Sequence, residues 1–478
     1  MPEPIRQRLS DVRREFHRYP EPAWREFYTT HRLVEELRAI GVDELAVGTE
    51  VYDPDDRMAV PKAESVDEWR ERARDRGADP DLLEKMDGGN TGVVAVLDRT
   101  DAADADAGGA DPDGGTDGPA VGLRVDIDGL FIEESEDDDH APTAEGFRSE
   151  SGETMHACGH DAHMTWGLAT LEAIKDSNFS GRLVVFFQPA EETSGGGHPM
   201  AESRYADDLD YLFAVHVGLD HPTGEVVAGI EKPLAMCHVD ATIRGTSSHA
   251  GKAPQDGNNA MQALGTLIEN AYGIPRHEDG MTRVNVGKAE AGTSSNIIAE
   301  HADVVAEARG ETTELKEYVK DRLLRVFENA AEMHGCTADV DVVSESPRAD
   351  SDPELVEVVA DAARGVSGVE TVVPTADFGA SEDATFLMER VQEEGGLASY
   401  LIVGTDHPTS HHTPTFDVDE RSLEIGVEVL TDSILRVAED GPVARDDAVR
   451  SSRATDGGGS AARDDPTAET DAGAGSEP

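Results

Sequence analysis

The chain has 478 residues, long enough for two domains, and carries 41 Lys and Arg against 99 Asp and Glu, a net charge of −58. Such a surface is repelled by phosphate backbones and anionic lipid, which argues against nucleic-acid and membrane-surface partners. The acid is spread along the chain and lysine is scarce beside arginine, a pattern that predicts a salt-adapted, halophilic surface screened at high ionic strength.

The N-terminal "MPEPIRQRLSDVRREFHRYP" lacks an apolar signal region, no later run approaches a membrane span, and three cysteines cannot build a disulfide framework; a cytoplasmic protein is expected. Apolar positions at Ile5, Leu9, Val12 and Phe16, then at Leu33, Leu37 and Ile40, have helical spacing. A charged, partly helical segment at 51–92 follows, then "TGVVAVLDRT" as a strand and an acidic Gly/Asp loop at 99–119 with no means of packing. From "AVGLRVDIDGLF" onward, apolar runs ("RLVVFFQ", "YLFAVHVG", "ASYLIVGT") alternate with helical segments ("MTWGLATLEAIKDS", "SEDATFLMERVQEE"). Near-continuous apolar strands between helices predict an α/β domain with a largely parallel, buried sheet, made of residues 1–235 and 347–438. Between 236 and 346 the strands alternate and two helices are amphipathic, which predicts an inserted α+β domain. Residues 439–478 are low-complexity and acidic, and are expected to be disordered.

"ETMHACGHDAHMTWG" (153–167) crowds His156, Cys158, His160, Asp161 and His163 together. A polar loop capping a helix is the plain explanation; half of a metal site is the other. Cys158 and His160 are two apart, so they share a direction only in a turn leading into the helix. Past the strand "RLVVFFQ" come Glu191 and Glu192, adjacent carboxylates that repel unless a cation lies between them. Neighbours in sequence diverge in direction, so one can bind a metal while the other faces its water as a general base. His216 ends "YLFAVHVG", and His411 and His412 lie just past "ASYLIVGT". Open α/β sheets bind ligands at the carboxyl ends of their strands, and the joint placement of His, Cys and Glu there favours metal.

In this order, "MHACGHDAH", "FQPAEE", "AVHVG" and "HHTPTFDVDE" resemble the metal-dependent amidohydrolases of the M20 peptidase family, subfamily D, over about residues 8–437. The resemblance implies a zinc-peptidase-like catalytic domain holding two divalent cations, with Cys158 bridging them. Glu192 and His412 would complete one ion, and His160 and His216 the other. His412 is preferred to His411 because it sits four residues before Phe416, as the family's ligand does. Glu191 would be the catalytic base, with Asp126 and Asp128 of "RVDIDGL" orienting ligands. A mixed Cys/His/Glu set suits zinc and also accepts manganese.

The same resemblance makes the 236–346 insertion a lid and dimerisation domain. There His249, Asn296 and Arg309 would bind the substrate carboxylate and polarise the scissile carbonyl, often across a dimer interface. "GASED" (379–383) resembles a family loop near the site; the plain reading is Ser381 as helix N-cap with Glu382 and Asp383 favouring the dipole. The implied activity is hydrolysis of an N-acyl amino acid such as p-aminobenzoyl-glutamate, by a homodimer. Other N-acyl or indole-acetyl conjugates remain open as substrates. So does a non-catalytic binding role within a hetero-oligomer, although an intact Glu191 speaks against it.

Overall fold

Twelve strands form two sheets: β1 (Glu44–Val47), β2 (Val93–Asp98), β3 (Ala120–Asp126), β4 (Arg182–Gln188), β5 (Tyr211–Val217), β6 (Glu225–Glu231), β7 (Ala235–Arg244), β8 (Thr282–Ala291), β9 (His301–Gly310), β10 (Thr337–Ser346), β11 (Thr371–Asp377) and β12 (Leu397–Val403). The structure, a computed structural model, describes residues 3–100, 118–407 and 409–441. Most of the acidic loop predicted at 99–119 and nearly all of the predicted disordered tail lie outside them.

The larger sheet has the order β1-β2-β4-β3-β5-β12-β6-β11. Its centre, β4-β3-β5-β12, is parallel throughout, whereas β2 joins β4, β1 joins β2 and β6 joins β12 in antiparallel fashion. The sheet is therefore mixed around a parallel block. Alternate residues of its strands enter two cores. Leu123, Val185, Phe213 and Leu401 face one, with Phe16, Leu37, Trp166, Val359 and Leu430 from helices; Val184, Phe186, Leu212 and Ile402 face the other, with Met200, Leu387 and Met388. Helices on both faces explain why β5 and β12 are buried at all seven positions and read as unbroken apolar runs. Because β3, β4, β5 and β12 run the same way, Asp126, Gln188, His216 and the chain after Val403 all emerge at one edge.

The smaller sheet, β10-β7-β9-β8, is antiparallel throughout. The helices Ala260–Tyr272 and Thr313–Met333 cover one face, closing a core of Val239, Ile243, Leu264, Val304, Leu323 and Phe327. Burial alternates along β9, with His301, Asp303, Val305, Glu307 and Arg309 on the open face. The chain enters this sheet at Ala235 and leaves at Ser346, whose register partner is Met236, so both connections lie at one end.

Three strands escape periodicity. In β11 only half-buried and exposed positions occur, β10 alternates weakly, and β6 is a short run one place from the sheet edge. Among the described residues, no helix is long and apolar enough to cross a membrane.

Candidate metal centre

The turn that carries Cys158 depends on Gly159, which sits at φ 85° immediately before the helix His160–Lys175. A Cβ there would lie 2.3 Å from Val217 Cγ1, so only glycine allows the helix to start this close to β5. The tight start points Cys158 and His160 to the same side, with His216 opposite. Cys158 Sγ lies 3.4 Å from His216 Nε2. Since His216 Nδ1 donates to the Val217 carbonyl at 2.8 Å, the lone pair of Nε2 is left for a ligand.

Glu191 and Glu192 follow β4 in a single turn of 3₁₀-helix. Glu192 Oε2 is 3.3 Å from His412 Nε2, and Oε1 is 3.8 Å from His160 Nε2. Glu191 Oε2 is also 3.8 Å from His160 Nε2. His412 reaches this cluster from φ 60°, its backbone N–H donating to Ala157 O at 2.9 Å. The adjacent His411 turns the other way, to the Val217 carbonyl at 3.2 Å.

Two sets of ligand atoms share Cys158: Cys158, His160 and His216, and Cys158, Glu192 and His412. Within each set the atoms all lie within 4.8 Å of one another, and Cys158 belongs to both. Ligand atoms ~2.0–2.3 Å from one tetrahedral ion are separated by roughly 3.3–3.8 Å, the range these pairs show. His160 Nε2 and Glu192 Oε1 are buried with no hydrogen-bond partner, an arrangement costly for a protein unless a cation satisfies it. The residues present therefore fit divalent metal.

Electrostatics agree. Burial, then Glu382 and Glu192, hold the Glu191 carboxyl well above its ordinary range, and burial, then Glu192, raises the Cys158 thiol. Burial opposes the charge of His160, yet Asp126, Asp128 and Glu192 together raise it to about 10. This is a nest of acids short of positive charge.

Asp126 and Asp128 lie against the cluster. Asp126 accepts from His163 Nδ1, whose Nε2 accepts the Val217 N–H, so His163 has no nitrogen left for a metal. Asp128 accepts the backbone N–H groups of Glu191 and Glu192 at 3.0 and 3.1 Å, and its Oδ1 is 3.4 Å from His160 Nδ1. Buried Arg13 holds Asp161 at 2.9 Å and also binds Asp417, tying the His160 helix to the loop that carries His412.

His249, Asn296 and Arg309 are not gathered here. His249 and Asn296 are exposed on adjoining loops, with Ala250 N donating to Asn296 O at 3.0 Å. They lie at the end of β9 marked by His301. Arg309 lies at its other end, roughly 27 Å away along an extended strand, and its fork is engaged by Glu307 at 2.7 and 2.9 Å.

Sequence reasoning missed Glu26, Arg124 and Gln188 and gave Asp383 no contact. Arg124, charged within "AVGLRVD", was the available signal. Its buried guanidinium binds Asp126, Gln188, Glu382 and Asp383. Glu382 and Asp383 are thus buried acids facing Arg124, and the helix Thr385–Glu393 that follows has Ala384, not Ser381, as its N-cap.

Residues 122–436 match the sequence pattern of Peptidase family M20/M25/M40. The chain is 37% identical to the A subunit of p-aminobenzoyl-glutamate hydrolase from Escherichia coli, over 90% of this chain and 95% of that protein. It is also 37% identical to indole-3-acetyl-aspartic acid hydrolase of Enterobacter agglomerans, over 89% and 95%. Among solved structures, an aminobenzoyl-glutamate utilization protein from Klebsiella pneumoniae superimposes with a TM-score of 0.76 at 32% identity, covering 91% of this chain and 97% of that one. Likeness sustained over nine-tenths of both partners is that of common descent, and the chain belongs to peptidase family M20/M25/M40, a family of amide-bond hydrolases.

Proposed function

We propose that the protein is a two-metal amidohydrolase that cleaves the amide bond of an N-acyl amino acid, p-aminobenzoyl-glutamate or a close analogue. The observation that carries this is the pair of ligand sets sharing Cys158, with the Glu191 carboxylate beside them. When metal is bound, Cys158 would serve both ions as thiolate, with His160 and His216 holding one and Glu192 and His412 the other. Manganese or zinc, when bound, supplies Lewis acidity for the carbonyl and makes a nearby water more acidic. Glu191 accepts that water's proton and returns it to the leaving amine nitrogen. Asp128 fixes the backbone of the turn, and Asp126 orients His163, which in turn holds the β5 strand end.

The substrate class rests on the relatives. The two at 37% identity are named for an aromatic acyl group joined to an acidic amino acid, glutamate in one and aspartate in the other. Arg309 offers a fork for a carboxylate, and His249 and Asn296 offer donors for the carbonyl oxygen. Their separation along β9 keeps them from meeting one substrate within a single chain. That favours residues 236–346 as a dimerisation lid, with His249 and Asn296 supplied to the site of a second copy. A hetero-oligomer is the alternative, because the Escherichia coli relative is named as one subunit of its enzyme.

The test is release of free amino acid from a panel of N-acyl amino acids by purified protein in concentrated KCl with Mn²⁺ or Zn²⁺. Metal-dependent turnover of the glutamate or aspartate conjugates is expected. Metal-independent turnover, or none on any N-acyl amino acid, would reject the proposal.

A further inference from the structure

The turn between β4 and Gly197 is strained. Ala190 and Ser194 adopt φ 58° and 50°, left-handed values that a non-glycine residue holds only where the surroundings enforce them. Its internal hydrogen bonds are few: Ser194 N to Glu191 O at 2.7 Å, Gly195 N to Ala190 O at 2.9 Å, and Thr193 Oγ1 to Ala190 O at 3.3 Å. What enforces the shape comes from outside. Glu26 Oε1 accepts Ala190 N at 2.8 Å, and Asp128 accepts the next two N–H groups.

Asp383 holds both ends. Its Oδ2 accepts the backbone N–H of Gly197 at 2.8 Å, and its Oδ1 accepts from Gln188 Nε2 at 2.6 Å and Arg124 Nη2 at 3.0 Å. Arg124 Nε donates to Gln188 Oε1 at 2.9 Å, which closes a three-residue ring. All three side chains are fully buried. The contact leaves no slack, since a Cβ on Gly197 would stand 2.1 Å from the Asp383 carbonyl oxygen.

We infer that Asp383 is a positioning residue that pins Gln188 to Gly197 and so holds Glu191 and Glu192 in the geometry that binds metal and handles the proton. The inference rests on the proposed function. Neighbouring Glu382 provides the control: it is also buried and, like Asp383, has a carboxylate oxygen within 4.8 Å of Glu191's, but it bonds to Tyr400 Oη at 2.8 Å, Ala384 N and Arg124, and has no hydrogen bond to 188–197. If Asp383 acted through charge alone, Glu382 would matter as much.

The experiment measures Mn²⁺ affinity of apo-protein by calorimetry in concentrated KCl, together with kcat and KM, for the full chain and its variants. Asp383→Asn removes the acceptor for either Gly197 or Gln188 and should weaken Mn²⁺ about 10- to 100-fold, the usual cost of losing a ligand's support. The loss should fall on kcat, with KM within threefold. Asp383→Glu, which keeps the charge but moves the oxygens, should not rescue, and Glu382→Gln should stay within threefold of wild type in affinity. Equal losses in Asp383→Asn and Glu382→Gln, or affinity within threefold in Asp383→Asn, would overturn the inference. Should Asp383→Asn fail to fold, Gln188→Met decides: a several-fold loss supports the clamp, and unchanged affinity overturns it. Wild-type protein that binds no Mn²⁺ would instead sink the metal reading, and the inference with it.

Discussion

At the carboxyl ends of β3, β4, β5 and β12, the aspartates are buried and partnered, Asp126 by His163 and Arg124, Asp128 by two backbone N–H groups, Asp161 by Arg13 and His17, while Glu192 Oε1 is left without a hydrogen bond. On the open face of the smaller sheet, exposed acids stand opposite acids, Asp240 against Asp341 and Asp303 against Glu290. One region is a largely buried cluster of ligand atoms assembled within a single chain. The other is a wet surface whose candidate substrate groups are spread over a strand's length. Metal ligands need to be fixed to fractions of an ångström, and only the first region gathers its candidate groups that closely.

The sharpest way to break this contrast is Glu191→Gln. It should lower kcat by a factor of ~10²–10⁴ and leave metal content near wild type, because it removes a base from an intact cluster. Activity within tenfold of wild type would show that Glu191 is not the base. Cys158→Ala strikes the group common to both ligand sets, so metal analysis should find both ions lost together with activity. Unchanged stoichiometry would dismantle the ligand assignment.

Arg309→Lys probes the other region. A point charge cannot reproduce a bidentate fork, so kcat/KM should fall about 10- to 150-fold for substrates with a free α-carboxylate and little for the corresponding amides. Equal losses on both would make Arg309 a structural partner of Glu307, the role its present hydrogen bonds already give it.

Burial in the first region also creates a pH dependence. His17 lies between Asp161 Oδ2 at 2.8 Å and Glu134 Oε1 at 2.9 Å. Burial opposes its charge, but these two acids raise it from 6.5 to about 9. A raised histidine contributes stability fully present below its unfolded value near 6.5 and lost as pH climbs through about 9, roughly 3 kcal/mol over that window. Unfolding midpoints in denaturant from pH 6 to 10 should show this fall, and His17→Gln should flatten it. A wild-type profile without the fall would mean the imidazole is neutral in the folded protein.

The smallest effect belongs to the open face. Like charges directly across strands repel by tenths of a kcal/mol and are screened by salt. Hydrogen exchange of β7, β8 and β9 should therefore slow with rising KCl more than exchange in β5 or β12. Equal responses would mean that the salt dependence of this −58 chain is not local to that face.

How much of this was legible in the sequence follows from how local each feature is. Unbroken apolar runs fixed the parallel block, because strands buried on both faces admit little else, and alternation announced the second sheet. Residues that carry their own local signal could be put forward as ligands: Cys158 and His160 at a glycine turn, Glu191 and Glu192 past a strand, His216 at a strand end; the preference for His412 over His411 came from the family resemblance. β11 could not, since an edge strand half in water has no periodicity to show. Nor could the Arg124–Gln188–Asp383 ring, whose members are 64, 195 and 259 positions apart as hydrogen-bonded pairs. "GASED" looks like a helix cap because capping is local chemistry; only the approach of β3, β4 and the chain after β11 turns its acids inward. The same holds for His163 and Arg309. Sequence supplies their donors and acceptors, but which partner claims them depends on distances that exist only once the strands have packed.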